Sequence, residues 1–366
     1  MPSIQKRQRR LWIWSTIVVA LLILFFRALE RRELKPATVL LEGQTMGTTW
    51  HIRLGDWPAV LDDSSLKEKL QREIDAVLVR ISASLSAWDE RSVLSSFNAA
   101  RADSLVEMDE DFQRVLEAAV QWQRATGGAF DPTVAPLVTL WGFGVDGASV
   151  SPTDEELDAA RALTGMDQLI TEPMPGGVGL TKRQDGVMLD VNAIAPGYAV
   201  DVLARLLRER GARNFTVEIG GELIVEGTRP EGGPWHIGVE APIEGMPPGD
   251  GRWITVLGLD HGAVATSGSY RNYVRRQEGQ LPHILDPRTG RPIQTSLVSV
   301  TVIAPDCTAA DALATACMVL GYQDGMAMVE RMAGVEALFV LQDPSGGFQQ
   351  ISSPGIAALE LVAQTD

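Results

Sequence analysis

The chain begins with a hydrophobic block. Residues 11–26, LWIWSTIVVALLILFF, form an uninterrupted run of low polarity, preceded by Lys6, Arg7, Arg9 and Arg10 and followed by Arg27, Arg31, Arg32 and Lys35. Sixteen helical residues span about 24 Å, short for a bilayer but sufficient when the ends snorkel. No A-x-A site follows the run and no lipoprotein cysteine is present, so it predicts an uncleaved transmembrane anchor. Flanking positive charge is balanced; the free amine with Glu30 and Glu33 tilts the N-terminus towards the cytoplasm. The predicted layout is a basic segment 1–10, an anchor 11–26, a linker 27–40 and one soluble body 41–362.

Within that body the pattern alternates between helical and strand periods. Residues 71–88 and 110–128 carry apolar positions at helical spacing, the second ending at Gly127–Gly128. SPTDEELDAARALTG, 151–165, predicts a helix with Ser151 as N-cap and Pro152 in its first position. NFTVEIGGELIVEG, 214–227, alternates about Gly220–Gly221 and predicts a β-hairpin. WHIGVEA, WITVLGL and SLVSVTVIA predict further strands, whereas TRPEGGPW and PIEGMPPGDG read as loops. Long helices and hairpins without a βαβ rhythm predict an α+β fold of mixed, mainly antiparallel sheets with packed helices, behind one transmembrane helix.

Composition narrows the function. A net charge of −15 argues against nucleic acid as the main partner. Cys307 and Cys317 lie about 15 Å apart along a predicted helix, too far for a disulfide. The four histidines are too scattered for a zinc site. No GxGxxG or GxxxxGK[ST] pattern occurs.

Five stretches could carry chemistry. In APDCTAADALATACMVLG, 304–321, Asp311 and Thr315 share a helix face and offer two hard oxygens suited to Mg²⁺; a solvated aspartate and a back-bonded threonine is the plainer alternative. In QLPHILDPRTGRPI, His283 stands near Asp286 at a turn that Asp286 and Thr289 can cap, a catalytic or a merely structural histidine. ATSGSYR, 265–271, adds hydroxyls and Arg271. In GGAFDPTVAPLVTLWGFG, Asp131–Pro132 reads as a helix entry, with Gly142 and Gly144 allowing close backbone approach. DVNAIAPGYAVD, 190–201, places Asp190 at a strand end and Pro196 at a helix start.

Taken in order, these stretches resemble the ApbE family of FAD:protein FMN transferases. TMGTTW, LSAWDERSVLSSFN, GGAFDPTVAPLVTLWGFG, DVNAIAPGYAVD, EIGGE, ATSGSYRNY, HILDPRTGRPI and AADALATACMVLG match successive family motifs. The resemblance implies an ApbE-like, T-fold-related architecture and an enzyme that moves FMN from FAD to a Thr or Ser hydroxyl, releasing AMP. It implies FAD contacts at Met46, Trp88, Ala129, Phe130, Asp131, Asp190, Pro196 and Leu285. It implies Mg²⁺ at the Ala193 carbonyl, Asp311 and Thr315, and His283 as catalyst. Some members carry a second carboxylate just before the threonine, where Ala314 stands, and many carry lysine or glutamate in place of Pro196. Implied partners are flavin-carrying subunits of membrane complexes such as the sodium-pumping quinone reductase (Nqr) and Rnf types. The implied location is the bacterial inner membrane, catalytic domain in the periplasm. An FAD pyrophosphatase yielding free FMN and AMP, or a flavin-binding assembly protein without chemistry, are the alternatives.

Overall fold

The computed structural model describes residues 38–55, 64–143, 151–243, 245, 252–269, 273–276 and 279–361. The anchor at 11–26, most of the linker, Gly144 and Arg271 lie outside them.

The centre is an eight-stranded sheet, every neighbouring pair antiparallel. Its order is Val39–Thr45, Thr48–Leu54, Phe215–Ile219, Glu222–Glu226, His261–Gly268, Leu297–Ala304, Glu336–Gln342 and Phe348–Ser352. Alternation sorts its side chains: Trp50, Ile52 and Leu54 are buried on one face while His51 and Arg53 point to the other. The first face packs against the helices Ala195–Glu209 and Cys307–Val329, with Val217, Ile224, Ala263, Val302 and Phe339 in the main core. The opposite face buries Val225, Val264, Ile303 and Leu338 under a hairpin of Trp235–Glu240 and Trp253–Leu259 and the short helix Ile356–Leu359. A three-stranded sheet of Val106–Met108, Gly177–Lys182 and Leu169–Met174 joins the helices Ser64–Leu85, Val93–Ala99 and Glu110–Ala125 beside this sandwich.

The α+β expectation holds, as do all the named strands. At the predicted hairpin, Gly220 and Gly221 have φ of 64° and 115°, which glycine alone adopts without strain. The first predicted helix is displaced, running Ser64–Leu85 rather than 71–88. Leu70 is buried and extends the apolar stripe backwards, whereas the Ser86 hydroxyl accepts from the Trp88 and Asp89 amides and turns the chain away. The helix Asp154–Arg161 is capped by Thr153 rather than Ser151, because Thr153 and Glu156 satisfy each other in a reciprocal capping box. Both cysteines are free and buried. Among the described residues only Cys307–Val329 is long and apolar enough to cross a membrane, and its first half lies in the core. At Gly321 (φ 76°) this helix breaks, so its chemistry-bearing part is the straight run before the kink.

Candidate active site

The site forms where the helix Cys307–Val329 meets the segment that opens the helix Ala195–Glu209. Asp201, the last residue of DVNAIAPGYAVD, accepts from the Cys307 and Thr308 amides at 2.8 Å each and from the Thr308 hydroxyl at 2.6 Å. Asp306 caps the same helix through the Ala309 amide at 2.8 Å. Two carboxylates therefore hold this helix end, where the dipole favours negative charge. Gly197 completes the junction. A Cβ there would lie 2.4 Å from the Cys307 carbonyl oxygen, so only glycine lets the helices meet this closely.

That contact fixes Asp311. The Gly197 amide donates to Asp311 Oδ2 at 3.0 Å, and the carboxylate is only 5% exposed. Burial pushes its pKa well above the usual carboxylate range; Glu222 and Asp201 add to this, and the Gly197 N–H opposes it. No ion pair with a cation is made by Asp311 among the described residues. One turn on, the Thr315 hydroxyl bonds to Ser267 Oγ on the neighbouring strand at 3.0 Å rather than back to its own helix. Both plainer readings, a solvated Asp311 and a back-bonded Thr315, are thereby set aside.

Asp311, Thr315 and Ala193 line one cleft of about 1590 Å³. A buried carboxylate without a positive partner, a hydroxyl one turn away and a backbone segment alongside form a hard-oxygen set that fits a divalent cation. Ala314 is fully buried in the core, so the position before Thr315 offers no carboxylate. Consistent with so small a set, no cluster of three or more His, Cys, Asp or Glu side chains of metal-binding arrangement occurs among the described residues.

The same cleft is lined by Trp88, Ala129, Phe130, Asp131, Asp190, His283 and Leu285. Asp131 caps the turn Pro132–Val134 by accepting from the Thr133 amide, and the Pro132 carbonyl accepts from the Asp190 amide at 2.7 Å. Asp190 therefore sits in an extended loop rather than at the end of a strand: its amide is used by this loop-to-loop bond. Its carboxylate accepts from the Asn192 amide at 2.9 Å. Burial raises its pKa, with the Asn192 N–H and the charge of His283 acting in the opposite direction. His283 and Asp190 line the same cleft, close enough to interact electrostatically. Its sequence neighbour Asp286 is spent on Arg288, whose backbone and guanidinium all donate to it at 2.9 Å. The turn carrying His283 and Leu285 is anchored by the Trp141 indole N–H, which donates to the Gly290 carbonyl at 2.7 Å.

Two expected FAD contacts do not line this cleft. Met46 occupies the tight turn between the first two strands (φ 48°) and packs against the core, while its neighbours Thr48 and Thr49 reach the wall. Pro196 is half-buried in the second position of its helix. Asn98 and Lys182 were not singled out from the sequence, yet both support the site. The Asn98 side chain donates to Leu189 O and accepts from Leu189 N, a two-bond clamp on the residue before Asp190. Lys182, 1% exposed, donates to the carbonyls of Phe97, Asn98 and Val187 at 2.8–3.0 Å.

Residues 46–339 match the model of the ApbE family. The chain belongs to the ApbE family. A Vibrio cholerae FAD:protein FMN transferase is 39% identical over 323 residues, covering 87% of this chain and 92% of that protein. An Escherichia coli FAD:protein FMN transferase is 35% identical, covering 86% and 87%. Among solved structures, the flavin transferase ApbE of Vibrio cholerae superposes with a TM-score of 0.74 at 37% identity, covering 88% of this chain and 99% of that one. The apo flavinyl transferase ApbE of Pseudomonas stutzeri gives 0.75 at 38% identity, covering 88% and 96%. The ApbE match thus spans the sheet from Thr48–Leu54 into Glu336–Gln342, without its first and last strands, together with both site helices and the His283 turn.

Proposed function

We propose that this chain transfers FMN from FAD to a serine or threonine hydroxyl of an acceptor protein. The observation that carries the reading is the meeting, in one cleft, of the buried Asp311, Thr315, Asp190 and His283. FAD lies against Trp88, Phe130, Asp131 and Leu285, with its pyrophosphate towards Asp311. The acceptor oxygen forms a bond to the phosphorus that bears the flavin, and that phosphorus releases its bridging oxygen to AMP. His283 takes the hydroxyl proton, and the Asp190 carboxylate favours the resulting imidazolium. The products are a flavinylated protein joined by a phosphoester, and AMP.

Asp311, Thr315 and the Ala193 carbonyl would hold Mg²⁺, which when bound supplies charge neutralisation at the pyrophosphate and the leaving phosphate. The hydrophobic block at 11–26 anchors the enzyme in the bacterial inner membrane with this domain in the periplasm. There the tether raises the effective concentration of membrane-bound acceptors, flavin-carrying subunits of Nqr- or Rnf-type complexes.

The test is incubation with FAD, Mg²⁺ and candidate acceptor domains, followed by denaturing electrophoresis. Covalently fluorescent acceptor with an equal amount of AMP is expected. FMN and AMP without a labelled protein would instead define a pyrophosphatase, and no turnover a flavin carrier.

A further inference from the structure

The cleft has a second wall that the flavin chemistry leaves unused. All six residues of the strand Trp235–Glu240 line it. Side chains alternate along a strand, so a cleft resting on a strand's face touches every second residue. Six consecutive lining residues mean that this strand presents its edge. Its other edge pairs with Trp253–Leu259, and among the described residues no strand pairs with the edge that faces the cleft. Beside it stands Trp253, 46% exposed, with its ring against Gly238; a Cβ at 238 would lie 2.5 Å from that ring. Glycine here lets an indole pack directly against the strand's backbone.

We infer that Trp235–Glu240 is the docking edge for the acceptor protein. An extended acceptor segment carrying the target serine or threonine adds as a third strand beside Trp235–Glu240, passes Trp253 and delivers its hydroxyl towards Asp311 and Thr315. The inference rests on the transferase reading and names how its second substrate binds. Two observations favour this occupant. At about 1590 Å³ the cleft exceeds the roughly 300–1,000 Å³ that suffices for a small-molecule site, leaving room for a polypeptide beside FAD. The edge also lines the same cleft as Asp311 and Thr315, where an attacking hydroxyl must arrive. Strand addition takes its affinity from main-chain hydrogen bonds, so one enzyme can accept segments of differing sequence.

The experiment uses the acceptor labelled in the transfer assay, with its target hydroxyl residue replaced by alanine so that it binds without reacting. Amide hydrogen exchange of the enzyme is followed with and without it. The amides of Trp235–Glu240 are expected to slow at least about tenfold on binding. In parallel, Trp253→Ala raises KM for the acceptor about tenfold while KM for FAD moves less than about twofold. An acceptor that binds without slowing these amides overturns the inference, as does a Trp253→Ala variant whose FAD KM rises equally. If no protein is labelled in the first assay, the transferase reading fails and this inference falls with it. Labelling without protection of the edge sinks the docking mode alone.

Discussion

At the residue scale, the site depends on carboxylates held where water would normally be required. Asp311 keeps one hydrogen bond, from Gly197, and no cationic partner among the described residues. Asp311→Asn keeps an acceptor for that N–H and removes the charge. Transfer is expected to fall by at least about a hundredfold, and the rise in Tm that Mg²⁺ gives the parent protein disappears; a variant still stabilised by Mg²⁺ refutes the metal assignment. Asp190 gives the complementary prediction for pH. Burial raises its folded-state pKa above the unfolded value of about 3.9. A group shifted upwards contributes stability that is present below the unfolded pKa and lost as pH rises through the folded pKa. Asp190→Asn is therefore more stable than the parent at pH 7, with the difference vanishing below about pH 4 in urea titrations. The same variant turns over more slowly, because the imidazolium of His283 loses its counter-charge. Gly197→Ala must push a Cβ against the Cys307 carbonyl. Denaturation should show a loss of about 1–3 kcal/mol, the usual cost of overpacking.

At the scale of elements, the expected helices and hairpins followed from apolar spacing and glycine positions, which act locally. Gly220–Gly221 was legible as a turn because two consecutive positive φ values leave little alternative to glycine. Asp311 and Thr315 were legible as a pair because four residues make one helical turn. Asp201 could be seen as a carboxylate but not as the cap of a helix that begins at Cys307, because that contact is made by the packing of two helices. Lys182 was invisible for the same reason. In TKRQDG it reads as surface, yet its three acceptors come from one strand-following loop and a helix end far away in sequence. Lys182→Met keeps the stem and removes the donor, leaving the Asn98 and Val187 carbonyls unpaired while Phe97 O keeps the Ala100 amide. A loss of at least about 2 kcal/mol is expected. KM for FAD should also rise, since Val187 and Leu189 lead directly into Asp190. Unchanged FAD affinity in a folded variant would show that the clamp serves stability alone.

At the scale of the molecule, the cleft draws on Thr48, Trp88, Asp131, Asp190, His283 and Asp311, segments spread over most of the chain. No local pattern announces such a convergence; the antiparallel sheet order creates it by bringing the Thr48–Leu54 and His261–Gly268 strands to either side of the Gly220–Gly221 hairpin. A site assembled this way cannot survive partial unfolding of the sheet. Ligand binding and global stability should therefore be linked. With Mg²⁺ present, FAD at a hundred times its Kd is expected to stabilise the fold by about 2.7 kcal/mol, raising Tm by several degrees. Trp88 is 72% exposed and lines the cleft, so its fluorescence should report FAD binding, while far-ultraviolet circular dichroism reports the sheet and helices. In a thermal ramp with FAD bound, the two signals should change at one temperature. Release of FAD well below the loss of secondary structure would mean that one wall of the cleft opens by itself.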